Sequence, residues 1–262
     1  MKSYLTGIAG FGHLGQLLSK TFKDSIIYDK CKNIGSIDEL NTCDCVFICV
    51  PTPMGENGKC DTSAVEEVIS QLKVDLIIIR STVYVGFTDE MVEKYKKNIV
   101  FQPEYYGETV AHPFENSSIS QWLSFGGTDE NINKAINVYK QVCNSNVKIY
   151  QDTAKNVEFA KYVANSFYAL KVTFFNEIYD IAEVLGVNYN RSREIFLADN
   201  RIGNYHTFIY EDNRGYGGSC LPKDIASLIN QAETNGFQPE FLKSISTRNK
   251  FFLSKNSNNE KK

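Results

Sequence analysis

Apolar positions in the first half of the chain form short continuous runs, the pattern of parallel strands that are covered on both faces. The runs occupy residues 4–9, 45–50, 76–79 and 99–101, with shorter strands predicted at 25–28 and 147–150. Helical spacing appears between them at residues 64–72, 89–96 and 132–142. The alternation predicts an α/β fold whose N-terminal part, residues 1–151, is a Rossmann-like doubly wound parallel sheet.

The second half of the chain has helical periodicity throughout. Apolar residues recur at helical spacing from Val157 to Leu185, which predicts one long helix ended by Gly186. A helix of this length commonly spans a domain junction or packs against a second subunit. Shorter helices are predicted at 191–198, 221–235 and 241–253. We therefore expect a long connecting helix and a small all-α central or dimerisation domain over residues 152–253, and a disordered tail at 254–262.

Charge and composition narrow the possible partners. The 262 residues carry a net charge of −3 without a basic stripe, so nucleic acid is not an expected partner. No apolar run resembles a signal peptide or approaches the roughly 20 residues of a membrane span, so we expect a cytoplasmic protein without a membrane partner. Seven cysteines, no paired CxxC and three histidines predict reduced thiols and no metal site.

A glycine-rich turn follows the first predicted strand and opens a helix. Its sequence, Gly10-Phe-Gly-His-Leu-Gly15, has the G-x-G-x-x-G spacing of a dinucleotide-binding turn. Asp29 ends the next strand, where an acid binds the ribose hydroxyls of NAD and disfavours the extra phosphate of NADP. The alternative is an ordinary glycine turn with a solvated aspartate. The candidate NAD-binding residues are Gly10, Phe11, Gly12, His13, Leu14, Gly15, Asp29 and Lys30.

Cys220 follows a run of glycines and precedes Pro222, which is well placed to open a helix. A thiol at a helix N-terminus is stabilised as the thiolate by the helix dipole. Asp224 lies one turn further on, where it can act as a polar partner. A buried structural cysteine is the alternative, and this segment alone leaves the choice open. Lys161 and Asn165 also lie one turn apart, and their spacing alone indicates only a solvated face.

Seven motifs in order resemble those of the UDP-glucose/GDP-mannose 6-dehydrogenase family, over nearly the whole chain. They are Gly10-x-Gly12-x-x-Gly15, Val50-Pro-Thr-Pro53, Ser81-Thr82-Val83, Pro103-Glu104-Tyr-Tyr-Gly-Glu108, Lys161-x-x-x-Asn165, Arg201-Ile-Gly203 and Gly217-Gly-Ser-Cys220-Leu-Pro-Lys-Asp224. The Gly-Gly-Ser-Cys loop is more similar to the glucose and mannose members than to the N-acetylmannosamine branch. The resemblance implies NAD-dependent oxidation of a primary alcohol of a nucleotide sugar, with UDP-glucose favoured, to a carboxylate in two steps.

The resemblance also implies a role for each motif. Cys220 would hold the aldehyde as a thiohemiacetal and then as a thioester, while Lys161 and Asn165 would stabilise the oxyanion. Asp224 with Thr82 would position a water, and Glu104 would be the base in hydrolysis. Further implied cofactor-binding residues are Val50, Pro51, Thr52, Ser81, Thr82 and Lys223. Implied substrate-binding residues are Tyr105, Tyr106, Glu108, Lys161, Asn165, Arg201, Tyr216 and Gly217.

Two departures from the family pattern leave alternatives open. The family continues into a second α/β domain that holds much of the nucleotide, and this sequence stops where that domain would begin. The family also carries a longer insert between Asp29 and Cys45. The chain could be a compact 6-dehydrogenase, a truncated NAD-binding subunit whose missing domain a separate chain supplies, or a binding or regulatory module that keeps NAD affinity but turns over poorly. We expect a homodimer through the long helix. A one-step NAD-dependent hydroxyacid-type dehydrogenase would need the Lys161–Asn165 pair but no cysteine.

Overall fold

A computed structural model of the protein describes residues 3–105, 122–143 and 146–259. This part of the chain contains a seven-stranded sheet with the strand order β2-β1-β3-β4-β5-β6-β7. The strands are β1 (Thr6–Ala9), β2 (Ile26–Tyr28), β3 (Cys45–Ile48), β4 (Leu76–Ile79), β5 (Ile99–Phe101), β6 (Trp122–Gly126) and β7 (Lys148–Asp152). The first five pair in parallel, which confirms the predicted doubly wound sheet. Strand β6 was not predicted, and it runs antiparallel to β5.

The helices follow the predicted periodicity, except that the short helix at residues 37–40 was not predicted. They are α1 (His13–Thr21), α2 (Ile37–Leu40), α3 (Ser63–Gln71), α4 (Phe87–Tyr95), α5 (Asp129–Tyr139), α6 (Ala154–Val184), α7 (Tyr189–Phe196), α8 (Leu221–Thr234) and α9 (Glu240–Asn259). Contacts divide the chain into two compact units. The first contains Met1–Gly55 and Cys60–Lys161, and the second contains Glu56–Lys59 and Tyr162–Lys262. The division falls within α6, close to the predicted domain boundary between residues 151 and 152.

Strands β3, β4 and β5 are apolar throughout because both of their faces are buried. Val46 and Ile48 of β3 pack into one apolar cluster, while Phe47 between them packs into a second cluster. Side chains alternate across a strand, so a run without polar positions requires cover on both faces. The second unit has smaller apolar clusters, one of which includes Ala169, Tyr216, Ile225 and Ile245.

The predicted disordered tail differs from the structure, in which α9 continues through residues 254–259. No glycine or proline interrupts the sequence after Phe241, so nothing ends the helix earlier. Lys255 also donates to a carboxylate oxygen of Asp180 at 2.6 Å, which ties this part of α9 to α6. Residues 260–262 lie outside the described residues. No helix in the described ranges combines the length and the apolar character that a membrane crossing needs.

A buried polar chain joins β4, β5 and α5 beneath the carboxyl ends of the strands. Arg80 Nη1 donates to the Tyr139 hydroxyl at 3.0 Å, and that hydroxyl donates to Gln102 Oε1 at 2.6 Å. All three side chains are buried. The hydroxyl of Tyr139 therefore satisfies a donor and an acceptor that have no access to water.

We expect Tyr139→Phe to lower the free energy of unfolding by about 1–3 kcal/mol, because it leaves two buried polar groups unsatisfied. The matched control is Tyr150→Phe, since the Tyr150 side chain is exposed and its change stays within about 0.5 kcal/mol. Urea denaturation of both variants measures the difference. Equal stabilities of the two variants would contradict the assigned role of the hydroxyl.

Candidate active site

The glycine turn after β1 brings the backbone close to the segment that follows β3. Gly10 has φ +97°, and a Cβ placed there would lie 2.7 Å from the Cys49 carbonyl carbon. A Cβ on Gly15 would lie 2.0 Å from the Gly10 carbonyl oxygen, so α1 can approach the turn only without a side chain. At Gly12 a Cβ would meet nothing within 4 Å. The turn therefore packs closely against the protein at Gly10 and Gly15 and leaves free space at Gly12, where α1 begins. Such a space at a helix N-terminus suits a pyrophosphate.

Asp29 lies immediately after β2 and faces this turn. Its carboxylate accepts from the backbone N–H of Phe11 at 2.7 Å and from that of Lys32 at 2.9 Å. Partial burial raises the pKa of Asp29, but these hydrogen bonds and the Lys32 charge outweigh it, so the net pKa is lowered. Asp29 is therefore an ionised acceptor beside the glycine turn. Lys30 instead pairs with Glu67 of α3 at 2.5 Å.

Polar residues at the ends of β3 and β4 are joined by hydrogen bonds. The Ser81 hydroxyl donates to the Val50 carbonyl at 2.6 Å, and both Ser81 and Thr52 are buried. The Thr82 carbonyl accepts a weak hydrogen bond from Cys60 Sγ at 3.5 Å. These contacts hold two predicted cofactor-binding segments together at the carboxyl end of the sheet.

Lys161 and Glu104 also meet within the first unit. Lys161 Nζ donates to the Glu104 carbonyl at 2.5 Å and lies 3.6 Å from the carboxylate oxygen Oε1. The ammonium lies 5.0 Å from the centre of the Tyr105 ring. Lys161 is almost fully buried, so its ammonium attracts these partners more strongly than it would in water.

Glu158 is a further polar residue of α6 that the sequence analysis did not single out. Its carboxylate is fully buried and accepts from Gly86 N at 2.6 Å, Thr88 N at 3.0 Å and Thr88 Oγ1 at 2.6 Å. Burial raises the pKa of Glu158, and these donors oppose the rise. The carboxylate thus accepts hydrogen bonds from backbone N–H groups at the start of α4, where helical N–H groups have no partner within the helix. The sequence did contain a signal for Glu158, because it lies three positions before Lys161 and therefore on the same helix face.

Within the second unit, Cys220 caps the N-terminus of α8. Proline occupies the first turn of that helix, and the Cys220 carbonyl accepts from Asp224 N at 2.9 Å. The side chain is partly exposed, so the sulfur combines solvent access with the positive end of the helix dipole.

Asp224 is fully buried one turn into α8, and both of its oxygens have donors. Asn165 Nδ2 donates to Oδ2 at 2.5 Å, and Lys223 Nζ donates to Oδ1 at 2.6 Å. The structure thus brings Asn165, Lys223 and Asp224 together, all three of which the sequence analysis named. Lys223 pairs with this carboxylate, while its cofactor-binding role stays a prediction.

The remaining residues that were predicted to bind substrate lie in different environments. A Cβ on Gly217 would meet nothing within 4 Å, so a ligand can approach the backbone there. The side chain of Tyr216 is buried in an apolar cluster. Arg201 is highly exposed and bonds to Asp199 through two nitrogens. Substrate roles for these three residues stay predictions, and Tyr106 and Glu108 lie outside the described residues.

Four of the other cysteines have thiol pKa values that burial raises. Burial raises the pKa of the Cys43 and Cys143 thiols to about 11 and that of Cys49 to about 12. Burial also raises the pKa of the Cys45 thiol well above its ordinary value. Such thiols stay protonated and unreactive at neutral pH. All seven cysteines lie among the described residues, and none is in a disulfide.

The fold and the glycine turn define a dinucleotide-binding protein of the Rossmann type. Residues 16–143 match the NAD binding domain of the UDP-glucose/GDP-mannose dehydrogenase family, and residues 155–251 match the central domain of the same family. The chain belongs to this family.

Curated relatives support the same assignment. The chain is 30% identical over 221 residues to a UDP-glucose 6-dehydrogenase of Pseudomonas aeruginosa, covering 78% of this chain and 48% of that protein. It is 32% identical over 246 residues to a UDP-glucose 6-dehydrogenase of Rickettsia typhi, covering 89% of this chain and 55% of that protein. The chain therefore spans about half the length of the curated relatives it matches.

Solved structures agree on the fold. A UDP-glucose dehydrogenase from Pyrobaculum islandicum superimposes with a TM-score of 0.81 at 22% identity, covering 95% of this chain and 68% of that one. A 3-hydroxyisobutyrate dehydrogenase from Mycobacterium tuberculosis gives a TM-score of 0.74 at 16% identity, covering 95% of this chain and 94% of that one. The same fold is thus used by both enzyme classes that the sequence left open.

We expect NAD+ to bind at least about tenfold more tightly than NADP+, because the ionised Asp29 repels a second phosphate on the ribose. Asp29→Asn should narrow this difference, whereas Asp38→Asn, at an exposed site of α2, should not. Titration calorimetry with both nucleotides measures the ratio. Tighter binding of NADP+ by the unmodified protein would contradict the prediction.

Proposed function

We propose that this chain is an NAD-dependent nucleotide-sugar 6-dehydrogenase, with UDP-glucose as its preferred substrate, that oxidises a primary alcohol to a carboxylate through a covalent adduct on Cys220. The observation that carries the proposal is a partly exposed thiol at the N-terminus of α8, one turn from a buried carboxylate that Asn165 and Lys223 hold. A protein that only binds NAD gains nothing from this arrangement. The names of the curated relatives support the substrate class.

NAD+, when bound, would supply the hydride acceptor for both oxidations. The open N-terminus of α1 at Gly12 would hold its pyrophosphate, and Asp29 would accept hydrogen bonds from its ribose hydroxyls. The backbone at Val50, Thr52 and Ser81 would complete the cofactor side of the site.

In the first oxidation the alcohol loses a proton and a hydride. By the family resemblance, Asp224 would hold a water that carries the proton away from the alcohol oxygen, and the resemblance gives Thr82 the same role. Lys161 and Asn165 donate to that oxygen as negative charge develops on it. Lys161 is suited to this role because its ammonium is buried and already held in place by Glu104.

In the second oxidation Cys220 retains the substrate. The thiolate adds to the aldehyde carbon to form a thiohemiacetal, and loss of a hydride from that carbon gives a thioester. Glu104 then takes a proton from the water that attacks the thioester, and the sulfur leaves as the thiolate. A reducing cytoplasm is the compartment that keeps this thiol available.

A second candidate is the one-step oxidation of a hydroxy acid. The superposition that covers 94% of a 3-hydroxyisobutyrate dehydrogenase favours it, since that match extends over almost the whole of both chains. This reaction would use Lys161 and Asn165 and leave Cys220 without a role.

The decisive experiment is to count NADH per sugar with the purified chain, NAD+ and a panel of nucleotide sugars, simple sugars and hydroxy acids. We expect about two NADH per UDP-glucose, together with formation of a carboxylate. About one NADH with a hydroxy acid would establish the second candidate instead. Turnover that appears only after addition of a chain carrying the family's nucleotide-binding domain would show that a partner supplies it.

Cys220→Ser should reduce carboxylate formation by roughly a thousandfold or more and accumulate a partly oxidised product, because serine cannot form the thioester. Cys31→Ser removes an exposed thiol elsewhere and should leave the rate unchanged. Mass spectrometry of the product distinguishes aldehyde from carboxylate. Full carboxylate formation by the Cys220 variant would exclude the covalent route.

We also propose that the chain forms a homodimer through α6. An apolar stripe of this helix, Val163, Phe167, Phe174 and Ile181, is between 45% and 54% exposed. The spacing of four, seven and seven residues places all four side chains on one helix face. A continuous exposed stripe of large apolar side chains is typical of a subunit interface.

We expect the wild type to sediment as a dimer and Phe167→Asp to sediment as a monomer, because a charge would be buried in the interface. Phe237→Asp is the control, since Phe237 is exposed outside α6 and its replacement should leave the dimer intact. Analytical ultracentrifugation at micromolar concentration measures both. A monomeric wild type would contradict the proposal.

A further inference from the structure

The segment Arg214–Tyr216, which precedes the glycines before Cys220, is held by asparagine side chains of α9. Asn249 Oδ1 accepts from Tyr216 N at 2.7 Å, and Asn249 Nδ2 donates to the Tyr216 carbonyl at 2.8 Å. Asn256 makes the same pair of bonds with Arg214, at 2.7 Å and 3.0 Å. Each asparagine therefore satisfies both backbone groups of one residue in an irregular segment, as a neighbouring strand would do.

A third asparagine, on α6, holds the same segment from its other side. Asn176 Oδ1 accepts from Gly215 N at 3.3 Å and from Arg214 Nε at 2.6 Å. The Arg214 guanidinium also donates to the Asn176 carbonyl at 2.9 Å and to Asp180 Oδ1 at 2.8 Å. Arg214 is only 6% exposed, so this charge is buried with its partners. Three consecutive backbone N–H groups are thus taken by side chains of two helices.

The fit is tight enough to define the backbone path. Gly215 has φ +79°, and a Cβ there would lie 2.7 Å from Asn249 Oδ1 and 3.3 Å from the Phe252 Cβ. The Arg214 guanidinium lies over the rings of Tyr179 and Phe252, at 4.8 Å and 5.4 Å from their centres. Neither a larger residue at 215 nor a shifted segment can be accommodated without losing these contacts.

Two glycines, Gly217 and Gly218, follow this segment. Gly217 is open on its Cβ side, and Gly218 has φ +77°. Glycine loses more conformational freedom on ordering than any other residue, so this loop depends on what anchors its two ends. Helix α8 anchors the end at Cys220, and the asparagines anchor the end at Tyr216.

We propose that Asn176, Asn249 and Asn256, together with Arg214, form a clamp of positioning residues for Cys220. The clamp fixes where the glycine loop begins, and so keeps the thiolate at the N-terminus of α8 with the orientation that its reactivity requires. The inference rests on the proposed role of Cys220 as nucleophile. It makes α9, which contributes no residue to the chemistry, a determinant of the reactivity of the thiol.

The test measures thiol reactivity directly and needs no substrate. Purified protein is alkylated with iodoacetamide from pH 5 to pH 10, and modification of Cys220 and of the exposed Cys31 is followed peptide by peptide. In Asn249→Ala we expect the pH midpoint of Cys220 alkylation to rise by about half a pH unit or more. This corresponds to a roughly threefold loss of thiolate below the midpoint. The midpoint of Cys31 should not change.

Control variants separate positioning from stability. Thr247→Ala, at an exposed site of α9, should leave both midpoints unchanged. Asn256 is only partly buried, so Asn256→Ala keeps the protein folded if Asn249→Ala does not, and it should move the Cys220 midpoint in the same direction. Arg214→Lys keeps the positive charge but loses the planar guanidinium that bonds to Asn176 and Asp180. We therefore expect the Cys220 midpoint of this variant to rise as well.

The clamp would be overturned if folded Asn249→Ala and Asn256→Ala had lower melting temperatures but kept the wild-type midpoint of Cys220. The asparagines would then contribute only to stability. The proposed function fails separately, if Cys220→Ser still makes carboxylate at the wild-type rate. A shifted midpoint with such activity would support the clamp while excluding the covalent route.

Discussion

The burial of polar groups on one face of α6 is the constraint on which the rest of the structure depends. Glu158, Lys161, Asn165 and Asn176 are each at most 5% exposed. A buried polar group without a partner costs about 1–3 kcal/mol, so each of these residues must hold a specific group of a neighbouring segment. In the first unit the helix holds the start of α4 and the end of β5. In the second unit it holds Asp224 and the segment before Cys220.

Burial also separates the candidate nucleophile from the buried cysteines. Cys45 and Cys49 pack as small apolar side chains, and burial raises the pKa values of their thiols until they are inert. Cys220 instead lies at a helix N-terminus and is partly exposed. The proposed role of Cys220 therefore depends on its environment and not on its residue type alone.

Much of the fold followed from periodicity. Buried strands were recognisable because both faces carry apolar residues, and helix starts and ends matched glycine, proline and capping residues. Strand β6 was missed because Ser124 and Gly126 interrupt its apolar residues, so its five positions lack the continuous apolar run of β3, β4 and β5. The end of α9 was missed because the polar residues after Leu253 look like a tail, although Lys255 pairs with Asp180 of a distant helix. Glu158 was missed because an isolated glutamate on a helix usually faces solvent.

The sequence by itself determined most of the order of strands and helices, the glycine turn for the cofactor and the acid at Asp29. These depend on local spacing and turn chemistry, which residues close in sequence specify. Only the tertiary structure decided which polar side chains are buried and what they hold. The partners of Glu158 lie 70 and 72 positions away, and Asn249 lies 33 positions from Tyr216. Burial is a property of segments brought together by folding, so no local pattern contains it.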